Sequence, residues 1–274
     1  MNVDGRTVMI TGATGGIGRS LALRMAAAGA FVAATDRDSA SLAGLADELG
    51  GDHVALHCDV ADEASMIGAI DAVEQRLGPV DIFCANAGVA DGGDPVETPM
   101  AVFDHTLAVN VRSHVVAAGR LLPGWLERGT GYFLSVASAA GLLTQIGSAP
   151  YTVSKHAAVA FAEWLSVTYG ERGLRVSCVC PMGVRTGMLV PGHDGALDEV
   201  GSRIVQEAGD VLEPDQVADM ILESIEDERF LVLPHPEVLT FFQRKATDYE
   251  RWLTGMRRLQ RTTASATGGR AEQG

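Results

Sequence analysis

Tyr151 and Lys155 stand four residues apart in YTVSK, so on a helix they share one face. A phenol with a pKa near ~10 is a poor acid–base catalyst at neutral pH. A cation about 4 Å away, at an effective dielectric of ~20, is worth roughly 4 kcal/mol, or ~3 pKa units. Before desolvation is counted, that spacing predicts a phenol able to move a proton to or from a substrate oxygen. A second chemistry-bearing stretch is TGATGGIG, starting at Thr11. Gly12 permits a tight turn, Gly16 lets backbone amides approach a pyrophosphate, and Gly18 lets the following helix pack closely. A helix N-terminus there offers unpaired amides to phosphates. Asp36 follows Gly16 by 20 residues. An acid at this place accepts hydrogen bonds from ribose hydroxyls and repels the extra phosphate of NADP. Its neighbour Arg37 is of a type that pairs with that phosphate. The acid and the absence of any basic residue inside the glycine turn favour NAD, with NADP as the alternative.

These residues need a scaffold, and the chain spells one out. Short runs rich in Val, Ile, Leu and Phe occur at Arg6–Thr11, Phe31–Thr35, His53–His57 and Val80–Cys84. Ala-rich stretches of helical period separate them at Gly16–Ala28, Ser39–Leu49 and Asp62–Leu77. Further strands are expected at Gly131–Ser135, Leu174–Cys180 and Phe230–Leu233. Helices are expected at Ala149–Glu171 and Gln216–Glu226, with one or two within Pro99–Glu127. Strands alternating with helices of ten or more residues make βαβ units, hence an α/β fold on a parallel sheet. Continuously apolar strands belong to a sheet covered on both faces. Seven strands are expected. The first 235 residues are read as one domain. Residues 236–261 extend it by a single amphipathic helix, apolar at Val238, Phe242, Ala246, Tyr249, Leu253 and Met256. Residues 262–274, of low complexity, are expected to be a flexible tail.

The motifs together resemble the short-chain dehydrogenase/reductase superfamily in its single-domain form. They occur in order: TGATGGIG, CDV with Asp59, CANAG with Asn86 to Gly88, and VNV with Asn110. SVASAAG with Ser138, YTVSK, and PMGVRT from Pro181 to Thr186 follow. The resemblance implies a doubly wound Rossmann fold and hydride transfer between a secondary alcohol and NAD, without a metal. It implies Tyr151 as proton donor or acceptor, and Lys155 as the group that lowers its pKa and holds the nicotinamide ribose. Ser138 is implied as a hydrogen-bond partner of the substrate oxygen, and Asn110 as the holder of a water linking Lys155 to solvent. Cofactor contacts are implied for Gly12, Thr14, Gly16, Ile17, Gly18 and Asp36. Asp59 and Val60 are placed at the adenine, Asn86, Ala87 and Gly88 in the groove, and Pro181, Val184 and Thr186 at the nicotinamide end. The sequence departs from the family at Ala85, where many relatives have Asn, and at Met182, where glycine is usual. Both a homotetramer and a dimer are compatible with the resemblance, through the helices around Asn110–Glu127 and Tyr151–Glu171. Small residues Ala157, Ala158, Ala160 and Ala162 would permit close approach there.

Composition narrows the partners. Asp and Glu number 35 against 21 Lys and Arg, a net charge of -14. This disfavours nucleic acid and anionic membranes, and a cytoplasmic, membrane-free protein is expected. From His235 onward, however, seven basic residues meet four acids, so this end is +3. The four cysteines show no metal-ligand spacing and are expected to be buried thiols. A substrate lid is expected over Thr186–Gly209, with Met188, Leu189 and Val190; Leu142, Leu143 and Ile146 are expected to face the pocket. These apolar residues point to a hydrophobic or alicyclic alcohol. NAD preference points to oxidation. Other classes weighed are a non-catalytic nucleotide sensor, which would lack the Tyr–Lys pair, an isomerase or dehydratase, which would need a separate substrate region, and a scaffold acting through the basic tail.

Overall fold

The computed structural model describes residues 1–263 in full and the backbone of 264–271. Seven strands form one sheet: β1 (Thr7–Thr11), β2 (Phe31–Asp36), β3 (Val54–His57), β4 (Ile82–Ala85), β5 (Gly131–Val136), β6 (Leu174–Val179) and β7 (Leu231–Val232). Their order is β3-β2-β1-β4-β5-β6-β7, and every pairing is parallel. Alternate side chains serve opposite faces. Met9, Phe83 and Phe133 pack with Ile70, Leu121 and Leu165 of α3 (Glu63–Leu77), α5 (Ser113–Arg128) and α6 (Ala149–Tyr169). Val8, Ile10 and Leu134 pack on the other side with Leu21 and Met25 of α1 (Gly16–Ala27), Leu42 of α2 (Ser39–Leu49) and Ile221 of α8 (Pro214–Glu226). Both faces are therefore buried, which explains why the strands read as continuous apolar runs. Among the described residues, no helix is long and apolar enough to cross a membrane.

Local capping supports these boundaries. Asp38 accepts hydrogen bonds from the Ala40 and Ser41 amides at the start of α2, and Asp62 accepts one from the Ser65 amide at the start of α3. The expected helical stretch from Pro99 is two helices, α4 (Met100–Leu107) and α5, joined by a π turn at Ala108–Arg112. The expected lid contains a helix of its own, α7 (Glu199–Ala208).

The chain's end differs from the sequence expectation. In place of one helix there are two, α9 (Glu237–Thr247) and α10 (Tyr249–Ala271), broken at Asp248. Asp248 has a non-helical backbone, φ -146° and ψ 88°, and its carboxylate accepts the Arg251 amide at 3.0 Å. It is thus a cap placed inside an otherwise continuous apolar period. Helix α10 also runs through residues assigned to the flexible tail; 272–274 lie outside the described residues.

Candidate active site

The strand order reverses direction between β1 and β4. In open parallel sheets the crevice beyond the carboxyl ends of strands at such a switch point takes the ligand. Here the ends of β1, β2, β4, β5 and β6 deliver Gly12, Asp36, Asn86, Ser138 and Pro181 to one cleft of 1320 Å³. It is also lined by Thr14, Gly16, Ile17, Asp59, Val60, Ala87 and Gly88, and by Tyr151, Lys155, Val184 and Thr186. Two of the predicted site residues stand behind its wall. Gly18 is buried under the glycine turn: a Cβ there would lie 2.1 Å from the Gly12 carbonyl oxygen. Asn110 is buried on the π turn.

The glycine turn is held from below. Gly12 has φ +64°, and the Asn86 side chain donates to the Thr11 and Gly12 carbonyls at 2.9 and 3.0 Å. The Asn86 amide is thereby committed to the turn rather than turned into the groove. Thr11, which the motifs did not single out, has its hydroxyl accept the Asn86 and Ala87 amides at 3.0 and 3.1 Å. Helix α1 begins with no side-chain cap at Gly15 and no acid in its first turn. Its free amides suit an anion. Asp36 accepts the Thr14 hydroxyl at 2.8 Å and the Thr14 amide at 3.1 Å, which fixes its carboxylate at the cleft. Arg37 is paired with Asp194 of the lid. Uncapped amides at one end, a fixed carboxylate beyond β2 and a buried lysine at the other end fit a dinucleotide.

At the other end, Ser148 caps α6 and accepts the Tyr151 amide at 3.3 Å. Tyr151 thus sits in the first turn and Lys155 one turn later, 6% and 3% exposed. The Lys155 ammonium donates to the Val136 carbonyl at 3.0 Å and lies 5.6 Å from the Tyr151 ring centre. A Cβ on Gly88 would lie 3.4 Å from that ammonium, so this stretch of groove runs directly beside Lys155. Ser138 accepts the Ala140 amide at 3.1 Å, leaving its own proton free to donate. The Tyr151 hydroxyl points to the Met188 sulfur at 3.7 Å, so the lid meets the phenol.

The electrostatics reverse the pair arithmetic above. Burial pushes the Tyr151 phenol up to about 12, while the neighbouring Ser138 hydroxyl pulls it back. Burial pushes the Lys155 ammonium down to about 8. Desolvation therefore outweighs the attraction estimated from spacing alone. The Asn110 side chain is also fully engaged. Its Oδ1 accepts the Val89 amide at 2.9 Å, and its Nδ2 donates to the Val89 carbonyl and the Ser154 hydroxyl at 2.8 and 2.9 Å.

On the substrate side, Met188, Leu189 and Leu143 line the cleft, whereas Leu142 and Ile146 are buried in the core and Val190 faces solvent. His105 lines the cleft as well, which its sequence context did not signal. His235 holds the Met182–Gly183 segment: its Nδ1 accepts the Met182 amide at 3.1 Å, and Nε2 lies 3.1 Å from the Gly183 and Asp210 carbonyls. The departure at Met182 thus sits on a pinned backbone. All four cysteines are buried and free, and no group of metal-ligating side chains occurs among the described residues.

A family model for short chain dehydrogenase matches residues 6–195. The chain belongs to the short-chain dehydrogenase/reductase superfamily. This short-chain dehydrogenase is 34% identical over 229 residues to a (21S)-21-acetoxyl-apo-melianone synthase of Melia azedarach, covering 82% of this chain and 84% of that one. It is 33% identical over 219 residues to D-threitol dehydrogenase of Mycolicibacterium smegmatis, covering 79% and 84%. Among solved structures, a short chain dehydrogenase/reductase from Burkholderia phymatum in complex with NAD superposes with a TM-score of 0.82. That pair is 28% identical over 91% of this chain and 96% of the other. The protein is accordingly an oxidoreductase on a Rossmann-like fold.

Proposed function

We propose that this short-chain dehydrogenase interconverts a secondary alcohol and a ketone with NAD, on a hydrophobic or alicyclic substrate. The observation that carries this reading is the convergence of Ser138, Tyr151 and Lys155 with the glycine turn and Asp36 in one cleft. When bound, NAD supplies the hydride chemistry, which no side chain can provide. Ser138 donates a hydrogen bond to the substrate oxygen. Tyr151 moves the proton at that oxygen, giving it to a carbonyl in reduction and taking it from a hydroxyl in oxidation. A phenol held at about 12 is a ready donor. For it to act as a base, the charge of Lys155 must offset part of the burial cost. Lys155 holds the nicotinamide ribose, and Asn110 fixes the Val89 and Ser154 positions beside it. Asp36 binds the adenosine ribose, with Thr14, Gly16, Ile17, Asp59, Val60, Ala87 and Gly88 along the groove. Pro181, Val184 and Thr186 hold the nicotinamide end. NAD is favoured because the Asp36 carboxylate faces the ribose position and Arg37 is already paired. Solution as a homotetramer or dimer is part of the same reading.

The test is turnover of matched steroid, terpene and polyol alcohols with NAD+ and NADP+, by wild type and Tyr151→Phe. Apolar alcohols with NAD+ are expected to be fastest. Tyr151→Phe is expected to lose at least 10²-fold in kcat, the scale of a general acid–base group, while NADH binding followed by fluorescence persists. Faster polyol turnover overturns the substrate class, and full activity of Tyr151→Phe overturns the mechanism.

A further inference from the structure

The cofactor groove uses only part of the cleft. Its volume of 1320 Å³ exceeds the ~300–1,000 Å³ typical of a single-ligand pocket. The remaining wall comes from α9 and α10, whose Phe241, Trp252 and Met256 line the same cleft as Met188 and Leu189 of the lid. These five side chains make an apolar sleeve, and Thr240, Gln243 and Thr247 add polar groups to the same wall. Its outer rim carries Arg244 in the last turn of α9 and Arg251 in the first turn of α10.

These arginines line the cleft with their charge unanswered by a carboxylate among the described residues. Elsewhere in this acidic chain several arginines are ion-paired with a carboxylate. Arg24, Arg120, Arg175 and Arg185 each hold one. Arg244 and Arg251 hold none among the described residues. Arg251 also stands at the positive end of the α10 dipole, where a cation costs stability. Asp248 is the one acid on this rim, and its Oδ1 is taken by the Arg251 amide.

The rim is built on a rigid foundation. Lys245, 7% exposed, donates to the Leu142 and Leu143 carbonyls at 2.8 Å each. Its ammonium also lies 5.0 Å from the Trp252 ring centre and 5.6 Å from that of Tyr249. A buried cation satisfied in this way ties both helices to the segment just after Ser138. It thereby fixes where its neighbours Arg244 and Arg251 stand relative to the reacting end of the cleft.

We infer that the substrate is an apolar secondary alcohol or ketone that carries an anionic group at its far end, received by Arg244 and Arg251. The inference rests on the reading of this cleft as the alcohol site and names the class of molecule it takes. The apolar skeleton fills the sleeve, the reacting oxygen meets Ser138 and Tyr151, and a carboxylate meets the guanidinium groups of these two arginines.

The probes are hydroxy fatty acids of eight, twelve and sixteen carbons with the hydroxyl on the penultimate carbon, the matching keto acids, and the methyl esters of both. Keto acid and keto ester are titrated into the enzyme–NAD+ complex by calorimetry, where no reaction can follow, and the hydroxy forms are used for turnover. For at least one length the acid is expected to bind at least ten-fold tighter than its ester. That preference should shrink at high salt and fall to about one in Arg244→Gln/Arg251→Gln. Arg257→Gln, on the same helix but outside the cleft, should keep it. Equal binding of acid and ester at every length, no binding of either, or a preference that survives the double substitution overturns the inference. Tyr151→Phe should lose turnover and retain the binding preference. If Tyr151→Phe turns over normally, the mechanism fails while the anion site stands on its binding data.

Discussion

Tyr151 and Lys155 are shifted in opposite directions by one cause. Both are enclosed by the sheet end, α6 and the lid, so the neutral form of each is favoured, toward about 12 for the phenol and about 8 for the ammonium. The phenol is therefore held neutral at pH 7, while a lysine at about 8 still carries its charge there and stands ready to attract a phenolate. Asp36 is oriented at the cleft by Thr14, whose amide and hydroxyl both donate to its carboxylate. A unit charge about 5 Å from a phosphate dianion costs about 2 kcal/mol even at the dielectric of water, roughly ten- to thirty-fold in affinity. Asp36→Asn should accordingly raise kcat/KM for NADP+ by that order and leave the value for NAD+ the same or lower. An unchanged NAD+/NADP+ ratio in steady-state assays would remove Asp36 from cofactor choice.

At the scale of elements, the junction of β1 and α1 is where backbone and ligand compete for space. A Cβ at Gly18 would overlap the Gly12 carbonyl, and one at Gly16 would lie 2.5 Å from Cγ2 of Thr186. Gly18→Ala must push α1 away from the turn, an overpacking cost of about 1–3 kcal/mol. The expected outcome is a lower Tm together with weaker NADH binding, read by thermal melts and fluorescence titration. A variant as stable as wild type would mean that α1 has room to move. The α9–α10 pair shows a different element-scale lesson. Its apolar spacing was legible as an amphipathic period, but the break at Asp248 was not, because a capping acid looks the same as a solvated one until the next helix is in place.

At the scale of the molecule, charge and exposed surface make separate predictions. His114 on α5 is buried, its ring 5.9 Å from Phe133, and burial followed by the charge of Lys155 lowers its pKa to about 3. The unfolded chain therefore binds the extra proton first. Stability is present above pH 6.5 and drains as pH falls toward about 3, by up to about 5 kcal/mol for this group. His114→Phe should flatten the Tm profile between those limits, and a profile parallel to wild type would dismiss His114 as the acid-sensitive group. On the outside, α6 leaves Val153, Trp164 and Val167 exposed, with Val115 on α5. Ala158 and Ala162 are spent on the chain's own core, while Ala157 and Ala160 are not fully buried. If these helices join copies of the chain, Trp164→Glu should lower the mass measured by light scattering. The same mass in both proteins would remove this face from the interface.

Much of this architecture could be read before any fold was known. Strand and helix alternation, the glycine turn, Asp36 and the Tyr151–Lys155 spacing are local patterns, and backbone periodicity alone dictates what they become. Which groups share a cleft was legible only as far as the motif order implied it. What the tertiary structure decided is everything that depends on burial and on partners distant in the chain. It turned the expected acidification of Tyr151 into an upward shift, because desolvation depends on the whole enclosure. It committed the side chains of Asn86 and Asn110 to backbone groups, paired Arg37 with Asp194, and brought Lys245 beneath the segment after Ser138. These are contacts across long sequence separations, and no local pattern encodes them.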